Sequence, residues 1–391
     1  MSLFDVKHQG EAQQEIQRAI RRGRLAHAYI FHGPDGVGKE LFARGLAELL
    51  LCDAPRTAEP PDPDAVGVAT GRIGCGTCAD CRAVARREAG VHPDLHIVHR
   101  HLNREHPDAT IRKRTGLDLS IDVVRHFLIA PSQLTSIRGR AKVFIVRDAE
   151  TLTRAAQNAL LKTLEEPPDA TVVVLLTTAV DRLLDTTRSR CQMVRFDALP
   201  LDFLENAIAH GHPDLPPDHV AWYARASDGS LGAARNLIEA DIYSTNRSIV
   251  EDLVRMSDDR AAATPQDWMK TAKALGAGHK KRDPDISDAE AVRRGVLLMF
   301  RLAAMWYADV LRADNNHDAG VVNAAHRDAL RPAAARFGSR RAADAIQRIV
   351  QAEGHLRYNV HTQLCVETLL NGLARIATDR TSTGRPLAPR T

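Results

Sequence analysis

The sequence predicts an α/β domain built on a parallel sheet, followed by an all-helical carboxyl-terminal part. Residues 29–31 form a short apolar run, and residues 33–39 behind it match the phosphate-binding pattern G-x-x-x-x-G-K. Residues 142–146 and 171–176 are two further apolar runs without polar alternation, as is typical of parallel strands buried on both faces. Residues 291–377 show apolar residues at helical spacing instead.

The glycine loop has the residue types that phosphate binding requires. It opens at Gly33, and Gly36 and Gly38 let backbone N–H groups turn toward a phosphate without interference from a side chain. Lys39 adds a positive charge, and the helix that follows adds the dipole of its amino terminus. Glu40 breaks the pattern, because a Ser or Thr hydroxyl normally follows the lysine and holds Mg²⁺. The loop therefore predicts a site for ATP or ADP with a damaged metal position.

Composition limits the classes of function that the chain can have. A length of 391 residues suggests two or three domains, and 44% hydrophobic residues suffice for a sizeable core. The net charge of +4 permits contact with nucleic acid without arguing for it, and 4% aromatic residues argue against a base-stacking platform. No run of about 18 apolar residues exists, so we expect no membrane span. An amino terminus without the apolar core of a signal peptide predicts a cytoplasmic location.

Four cysteines predict a metal site between the helix that follows the phosphate loop and the second strand. Cys75, Cys78 and Cys81 form a C-x-x-C-x-x-C run, and Cys52 lies upstream at the end of a helix. Four thiolates suit a tetrahedral, closed and therefore structural Zn²⁺ that pins the loop at residues 53–72. Free thiols and an iron–sulfur cluster are the alternatives, and the cluster ranks below zinc because no redox partner motif is present.

The first half of the chain predicts a regular alternation of helices and strands. We expect a first helix at 11–22, a second strand at 92–98 and a helix at 121–128. Residues 99–116 between them are basic and rich in histidine. Without interleaved aromatic residues this stretch is better explained as a solvated insertion than as a loop that contacts DNA.

The strand at 142–146 ends where a phosphate-loop ATPase carries two acids, one for Mg²⁺ and one for the attacking water. This sequence continues as Arg147, Asp148, Ala149 and Glu150. Arg147 at the metal position leaves Asp148 at the catalytic position. A register one residue later makes Asp148 the metal ligand and leaves Ala149 at the catalytic position. One acid is missing in both registers, which argues against hydrolysis by this chain.

Two further polar positions follow in the chain. A helix is expected at 152–166, and the strand at 171–176 ends near Thr178, which is either a sensor of the γ-phosphate or an ordinary strand-end threonine. Arg190 lies in a polar turn after that strand. Its order in the chain favours an arginine finger that reaches a neighbouring subunit's nucleotide over a simple surface charge.

The remaining chain is predicted to be helical, with one interruption. Residues 201–240 suggest a small helical unit, and residues 257–290 are polar and turn-rich, which predicts a loop inside the helical region. Residues 378–391 form a polar tail that contains proline and is expected to be disordered.

These motifs together resemble the delta-prime family of clamp-loader subunits, which belong to the AAA+ ATPases. The carriers are the opening segment through GPDGVGK, the cysteine module, and the stretches HPDLHIV, KVFIVRDAE, NALLKTLEEPPDAT and LLDTTRSRCQMVRF. The resemblance implies an AAA+ domain at 1–198 with a zinc module at 52–81, a helical lid at 199–243 and a helical collar at 244–377.

The same resemblance separates ATP-hydrolysing members from delta-prime members. The ATPase paralogues carry Gly-Lys-Thr, a strand that ends in Asp-Glu, and an arginine two residues after Gly-Ser in the lid. This chain has Glu40, Arg147 with Asp148, and Gly232 at those positions. The resemblance therefore implies a subunit without ATPase activity of its own, in which an intact Lys39 leaves nucleotide binding open.

The resemblance also implies partners. These are the tau/gamma ATPase subunits and the delta subunit in a hetero-pentamer of the DNA polymerase III holoenzyme, which sets a sliding clamp on primed DNA. Arg190 is then the residue that acts on the ATP of the adjacent subunit. The alternatives are an active tau/gamma-type ATPase that holds Mg²⁺ with Glu40 and Asp148, a zinc-containing DNA-binding adaptor, and a structural adaptor without catalysis in trans.

Overall fold

The structure, a computed structural model, describes residues 2–59, 70–86, 92–113, 118–168, 170–257, 265–315, 320–357 and 361–378. It divides into two compact units, one formed by Met1–Leu204 with Asp228–Ala233 and the other by Glu205–Ser227 with Ala234–Thr391. The lid and collar boundaries stay predictions, and the predicted tail lies outside the described residues except for Thr378. Within the described ranges, no helix combines the length and apolar character needed to cross a bilayer.

A five-stranded parallel sheet forms the centre of the first unit. Its strands are β1 (Ala28–His32), β4 (Leu95–Val98), β5 (Lys142–Val146), β6 (Thr171–Thr177) and β7 (Gln192–Arg195), in the spatial order β4-β5-β6-β1-β7. Ile30 of β1 pairs with Leu175 on one side and Met193 on the other. Because all five strands run in parallel, their carboxyl ends meet along one edge, where the glycine loop begins.

Three details of the sheet differ from the sequence prediction. The second strand begins at Leu95 instead of residue 92, because the buried carboxylate of Asp94 accepts hydrogen bonds from the backbone N–H groups of Ile137 and Arg138. The edge strand β7 was not predicted, since only Val194 of its four residues is buried and its apolar signal is therefore weak. A short antiparallel pair, β2 (Arg56–Ala58) with β3 (Gly71–Ile73), also lies within the segment predicted as a plain loop.

Helices pack on both sides of this sheet. They are α1 (Gly10–Arg21), α2 (Lys39–Leu51), α3 (Ala79–Ala85), α4 (Ala109–Arg112), α5 (Ile121–Val124), α6 (Ala130–Ser132), α7 (Arg154–Glu165) and α8 (Asp185–Arg188). A π-helical turn at Arg125–Ile129 joins α5 to α6, so the predicted helix continues to Ser132. Helix α7 begins two residues later than predicted, because Thr153 caps it by accepting a hydrogen bond from Ala156 N at 3.1 Å.

The basic segment contains short helical turns among its described residues. Arg100–Glu105 forms a 3₁₀ helix, and α4 follows it. Leu102 and Ile111 are buried and attach the segment to the domain. Residues 114–116, at the end of the predicted basic segment, lie outside the described residues, which resume at Asp118.

The second unit is helical. Its elements are α9 (Leu201–Gly211), α10 (Pro217–Ala226), α11 (Leu231–Glu239), α12 (Ile242–Ser257), α13 (Pro265–Arg282), α14 (Asp288–Asp314), α15 (Arg327–Arg357) and α16 (Thr362–Thr378), of which α9 and α11 begin in the first unit. The prediction of a loop at 257–290 was wrong, since α13 occupies most of it. Trp268, Ala272 and Gly276 form the buried stripe of α13, and two of these three residues are too small to give a strong apolar signal.

Candidate functional site

The glycine loop between β1 and α2 has a backbone that only glycine accommodates. Gly33 has a φ of +146°, and a Cβ atom there would lie 2.1 Å from the carbonyl oxygen of Phe196. Gly36 has a φ of +67°, and a Cβ atom there would lie 2.6 Å from Ser230 Oγ. Gly232 N donates a hydrogen bond to Gly36 O at 3.1 Å, so a side chain at either glycine would separate the two backbones.

Lys39 is buried and its amine points back into the loop. Nζ donates hydrogen bonds to the carbonyl oxygens of Gly33 at 2.7 Å and Pro34 at 2.5 Å. Burial lowers the pKa of Lys39, and the carboxylates of Asp35, Glu150 and Asp148 oppose this shift. An ammonium group has three N–H donors, so a phosphate oxygen can bind a third donor without displacing the two loop carbonyls.

Glu40, the residue that departs from the phosphate-loop pattern, is held between two arginines. Its Oε1 accepts from Arg147 Nη2 at 2.5 Å and from Arg44 Nε at 2.9 Å. Burial alone would raise the pKa of Glu40, but the hydrogen bonds and charges of Arg147 and Arg44 outweigh it and hold the pKa below its usual value. The carboxylate is therefore ionised and has two strong cationic partners.

The register at the end of β5 places Arg147 beside Glu40. Val146 is the last residue of β5, and Arg147 follows it with its backbone N–H bonded to Val98 O at 2.9 Å. Burial lowers the pKa of His99 to about 4, and the positive charge of Arg147 adds to the effect. The structure thus places a cation directly after the strand and beside Glu40, and the choice between the two registers stays a prediction.

Asp148 and Thr178 lie near the glycine loop. Glu150 accepts a hydrogen bond from Thr178 and acts on Asp148 through its negative charge. Asp148 has a φ of +49°. The side chain of Asp148 is exposed. Its pKa is nevertheless raised, first by loss of hydration and then by the negative charges of Glu150 and Asp35. Thr178 Oγ1 donates to Glu150 Oε1 at 2.6 Å. Sequence analysis assigned no role to Glu150, yet Glu150 is the acid that accepts a hydrogen bond from the predicted sensor residue.

The four predicted cysteine ligands lie together. The sulfur atoms of Cys52, Cys75, Cys78 and Cys81 all lie within 4.8 Å of one another, and those of Cys75 and Cys81 are 3.8 Å apart. A zinc ion with sulfur ligands at about 2.3 Å sets its sulfur atoms about 3.8 Å apart on a tetrahedron. The spacing is too long for a disulfide and fits a closed four-sulfur metal site.

Backbone N–H groups surround the sulfur atoms of this cluster. The N–H of Cys75 donates to Cys52 Sγ at 3.1 Å, and the N–H groups of Cys78 and Cys81 donate to the sulfurs of Cys75 and Cys78 at 3.3 Å each. Hydrogen bonds from the backbone and side chain of Thr77 lower the pKa of Cys75 to about 6, whereas burial raises the pKa values of Cys52 and Cys81. Such donors stabilise thiolates, which are the metal-binding form of cysteine.

Polar and charged side chains, of which those of Asp80 and His92 are buried, tie this cysteine module to the segments that lead into the sheet. Asp80 at the start of α3 lies 3.2 Å from His92 Nε2 and 3.5 Å from Arg138 Nε. Arg140 contributes a second link, from its Nη2 to Asp53 at 2.8 Å. The module is therefore attached to the segment that leads into β5.

Arg190 lies apart from the glycine loop. Its Nε and Nη2 donate to the carboxylate of Glu165, and its Nη1 donates to Thr186 O at 2.8 Å. These partners come from the end of α7 and from α8. The side chain is 31% exposed, and these partners lie outside residues 33–40.

Gln157 of α7 holds the turn that carries Arg190. It is buried, and its Oε1 accepts hydrogen bonds from Leu184 N at 2.8 Å and Thr187 Oγ1 at 3.4 Å. Its Nε2 donates to Leu152 O at 3.2 Å. The only sequence signal for this role was a glutamine on the apolar face of a predicted helix. That signal does not show which groups the glutamine binds.

Comparisons with known proteins agree with the residue pattern. The family model described as DNA polymerase III, delta subunit, matches residues 8–200. The DNA polymerase III delta' subunit of Bacillus subtilis is 30% identical over 258 residues, which are 65% of this chain and 68% of the relative. The delta' subunit of Escherichia coli is 30% identical over 264 residues, 67% of each chain.

Two other matches are less complete or more distant. The DNA polymerase III tau subunit of Escherichia coli is 32% identical over 66% of this chain, but the match spans only 37% of tau. Among solved structures, a gamma subunit-related protein of Thermotoga maritima aligns with a TM-score of 0.41 and 15% identity over 94% of this chain and 99% of that chain, a likeness too low to carry an inference. The delta' relatives match over two thirds of their length, and the chain belongs to the family of DNA polymerase III delta' subunits.

Proposed function

We propose that the chain is a clamp-loader subunit that does not hydrolyse ATP and that supplies Arg190 to the ATP site of a neighbouring ATPase subunit. The observation that carries the first half is the contact of Glu40 with Arg44 and Arg147. In phosphate-loop ATPases a hydroxyl and a carboxylate at the positions of Glu40 and Arg147 hold Mg²⁺. Here the carboxylate is already paired, and two guanidinium groups repel a divalent cation.

The second half rests on the exposure and position of Arg190. Its guanidinium reaches the protein surface, and its partners are Glu165 and Thr186 O instead of groups of the glycine loop. An arginine supplied in trans accelerates phosphoryl transfer by roughly 10³–10⁵ in other systems. To act in this way, Arg190 has to exchange Glu165 for the phosphate of the partner.

The proposed partners are a tau/gamma-type ATPase subunit and a delta-type subunit in a hetero-pentamer, with a sliding clamp and primed DNA as the objects of the assembly. The 32% identity to tau supports common ancestry with that ATPase subunit, and paralogous subunits frequently assemble with one another. In this arrangement the chain acts as a brace and as an activator in trans. Its own loop is proposed to bind ATP or ADP through Lys39 without turnover.

The cysteine module is proposed to hold one structural Zn²⁺. Its four sulfurs have the spacing of a tetrahedral site, and backbone N–H groups support the thiolates. A closed four-sulfur site leaves no position for a substrate. The metal is therefore expected to stabilise the fold around Cys52 and α3.

The test is steady-state ATP hydrolysis with Mg²⁺, first by the chain alone and then with the tau/gamma ATPase subunit assembled with it. We expect no turnover by the chain alone, and loss of at least tenfold in the assembled rate for Arg190→Ala. Arg188→Ala is the matched control, because Arg188 pairs with Asp185 in the same turn. Turnover by the chain alone that disappears in Lys39→Ala would contradict the proposal, as would equal rates for Arg190→Ala and the unaltered chain.

A further inference from the structure

Helix α13, which the sequence did not predict, carries four lysines on one exposed face. Lys270, Lys273, Lys280 and Lys281 are all exposed. At 3.6 residues per turn they fall within an arc of roughly 100°. Trp268, Ala272 and Gly276 form a separate, buried stripe of the same helix. We call the four residues the lysine face.

The lysine face is poor in negative partners. Lys280 pairs with Asp288. Among the residues that the structure describes, no carboxylate pairs with Lys270, Lys273 or Lys281. Three unpaired ammonium groups on one rigid helix produce a positive potential toward solvent.

The end of α13 adds to this positive charge. His279 and Arg282 belong to the last turn, together with Lys280 and Lys281. Burial lowers the pKa of His279, and the charges of Arg282 and Arg294 lower it further, while Glu290 opposes them. The lowered pKa keeps His279 uncharged near neutral pH, so the positive charges at this end of the helix are those of Lys280, Lys281 and Arg282.

We propose that the lysine face binds the phosphate backbone of duplex DNA without reading its sequence. The lysines span 12 residues, and the 11 helical rises between the first and the last correspond to about 16 Å of helix. Duplex DNA presents one negative charge for roughly every 1.7 Å of its axis, so several phosphates lie within reach of that span. Lysine is a compact charge on a flexible stem, which suits phosphate contact better than base recognition.

An acidic protein surface is the competing occupant, and the composition of the face argues against it. Ala274 and Ala277 are the exposed residues between the lysines, and both are small. Protein interfaces depend on buried aromatic or aliphatic anchors and are poor in lysine at their centres. The choice of DNA also rests on the proposed role in clamp loading on primed DNA.

The experiment compares two full-length triple variants that each remove three positive charges. Lys270→Gln/Lys273→Gln/Lys281→Gln alters the lysine face, and Gln keeps helix propensity. Arg327→Gln/Arg331→Gln/Arg340→Gln alters three exposed arginines of α15 and is the control for net charge. Circular dichroism checks that both variants are folded. The probe is a fluorescent duplex of random sequence, titrated by anisotropy at several salt concentrations.

We expect the lysine variant to bind the duplex about tenfold more weakly at low salt. The slope of log K against log salt concentration should become shallower by about 2.7 units, which is about 0.9 for each of three lost phosphate contacts. The α15 variant should retain most of the affinity and slope. Unchanged binding by the lysine variant overturns the inference, and so does an equal loss in both variants, which would report net charge alone.

A further measurement separates this inference from the proposed function. The lysine variant is mixed with the tau/gamma ATPase subunit without DNA, and its stimulation of ATP hydrolysis is measured. Normal stimulation together with weakened duplex binding supports the inference. Normal stimulation with unchanged duplex binding overturns the inference and leaves the proposed function intact. Loss of association with the ATPase subunit and unchanged duplex binding overturns it in favour of a protein partner.

Discussion

Arg147 Nη2 lies 2.5 Å from Glu40 Oε1. This contact joins the residue that follows β5 in the chain to the residue that follows the phosphate-loop lysine. In an ATP-hydrolysing phosphate-loop protein the same two positions meet through Mg²⁺. Here the two side chains form a direct ion pair. The first prediction concerns the energy of that pair.

Glu40→Gln and Arg147→Gln should not be additive in their effects on the free energy of unfolding. The two side chains are 34% and 36% exposed, so solvent screening limits their coupling energy to about 1 kcal/mol. A double-mutant cycle followed by urea unfolding measures it. The exposed pair of Arg195 and Asp197 in the same unit is the control, with an expected coupling of about 0–0.5 kcal/mol. A coupling for Glu40 and Arg147 no larger than this control would contradict the prediction.

The pair also predicts a dependence of stability on acidity. The folded pKa of Glu40 lies below its ordinary value of about 4.5, because the arginines outweigh the effect of burial. A carboxyl with a lowered folded pKa contributes stability that is fully present above the unfolded pKa and is lost as the pH falls through the folded pKa. Between pH 6 and pH 3 the unaltered chain should therefore lose stability more steeply than Glu40→Gln. Parallel curves from unfolding titrations would rule out this contribution.

The cysteine cluster predicts about one zinc ion per chain. Cys78→Ser should remove most of the metal and lower the melting temperature, because the loop around α3 loses its cross-link. Cys191→Ser is the matched control, since Cys191 lies outside the cluster and should leave the metal content unchanged. Metal content is measured by elemental analysis of protein purified without added zinc. A preparation that contains no metal but melts at the same temperature as the variant would argue for free thiols.

The parts that the sequence predicted well are those in which one local pattern determines the structure. Strands β5 and β6 were predicted from two apolar runs, which are typical of strands buried on both faces. The cysteine cluster was predicted from the spacing of its residues alone. The contact of Glu40 with Arg147 joins residues 107 positions apart, and no local pattern encodes such a pair. Helix α13 was missed because its buried stripe consists of small residues around Trp268.

Gln157 predicts a loss of activation in trans without loss of assembly. Gln157→Leu removes the acceptor for the half-buried Leu184 N–H, at a cost of about 1 kcal/mol in stability. The turn that carries Arg190 should become less well positioned. We expect the maximal rate of ATP hydrolysis by the partner subunit to fall severalfold while the affinity between the subunits is retained. Thr178→Val is a control, because it removes a hydrogen bond to Glu150 and none to that turn.

Glu165 predicts a change in the opposite direction. Its carboxylate holds the Nε and Nη2 groups of Arg190, so the arginine has to leave a charged partner before it reaches a phosphate in a neighbouring subunit. Glu165→Gln keeps the size of the side chain but removes its charge, which weakens the competing contact. Stimulation of the partner ATPase should therefore rise by about tenfold, which corresponds to about 1.4 kcal/mol in activation free energy.

The control for Glu165→Gln is Glu166→Gln, the neighbouring carboxylate, for which no contact with Arg190 is seen in the described chain. Thr186 O, which also accepts from Arg190, remains in place in both variants. If Glu165 instead orients Arg190 toward the neighbouring subunit, its loss lowers the rate in the same way as Arg190→Ala. The sign of the change thus decides between a carboxylate that restrains the arginine and one that positions it. The measured quantity is the maximal rate at saturating ATP, because restraint and positioning both act on the phosphoryl-transfer step.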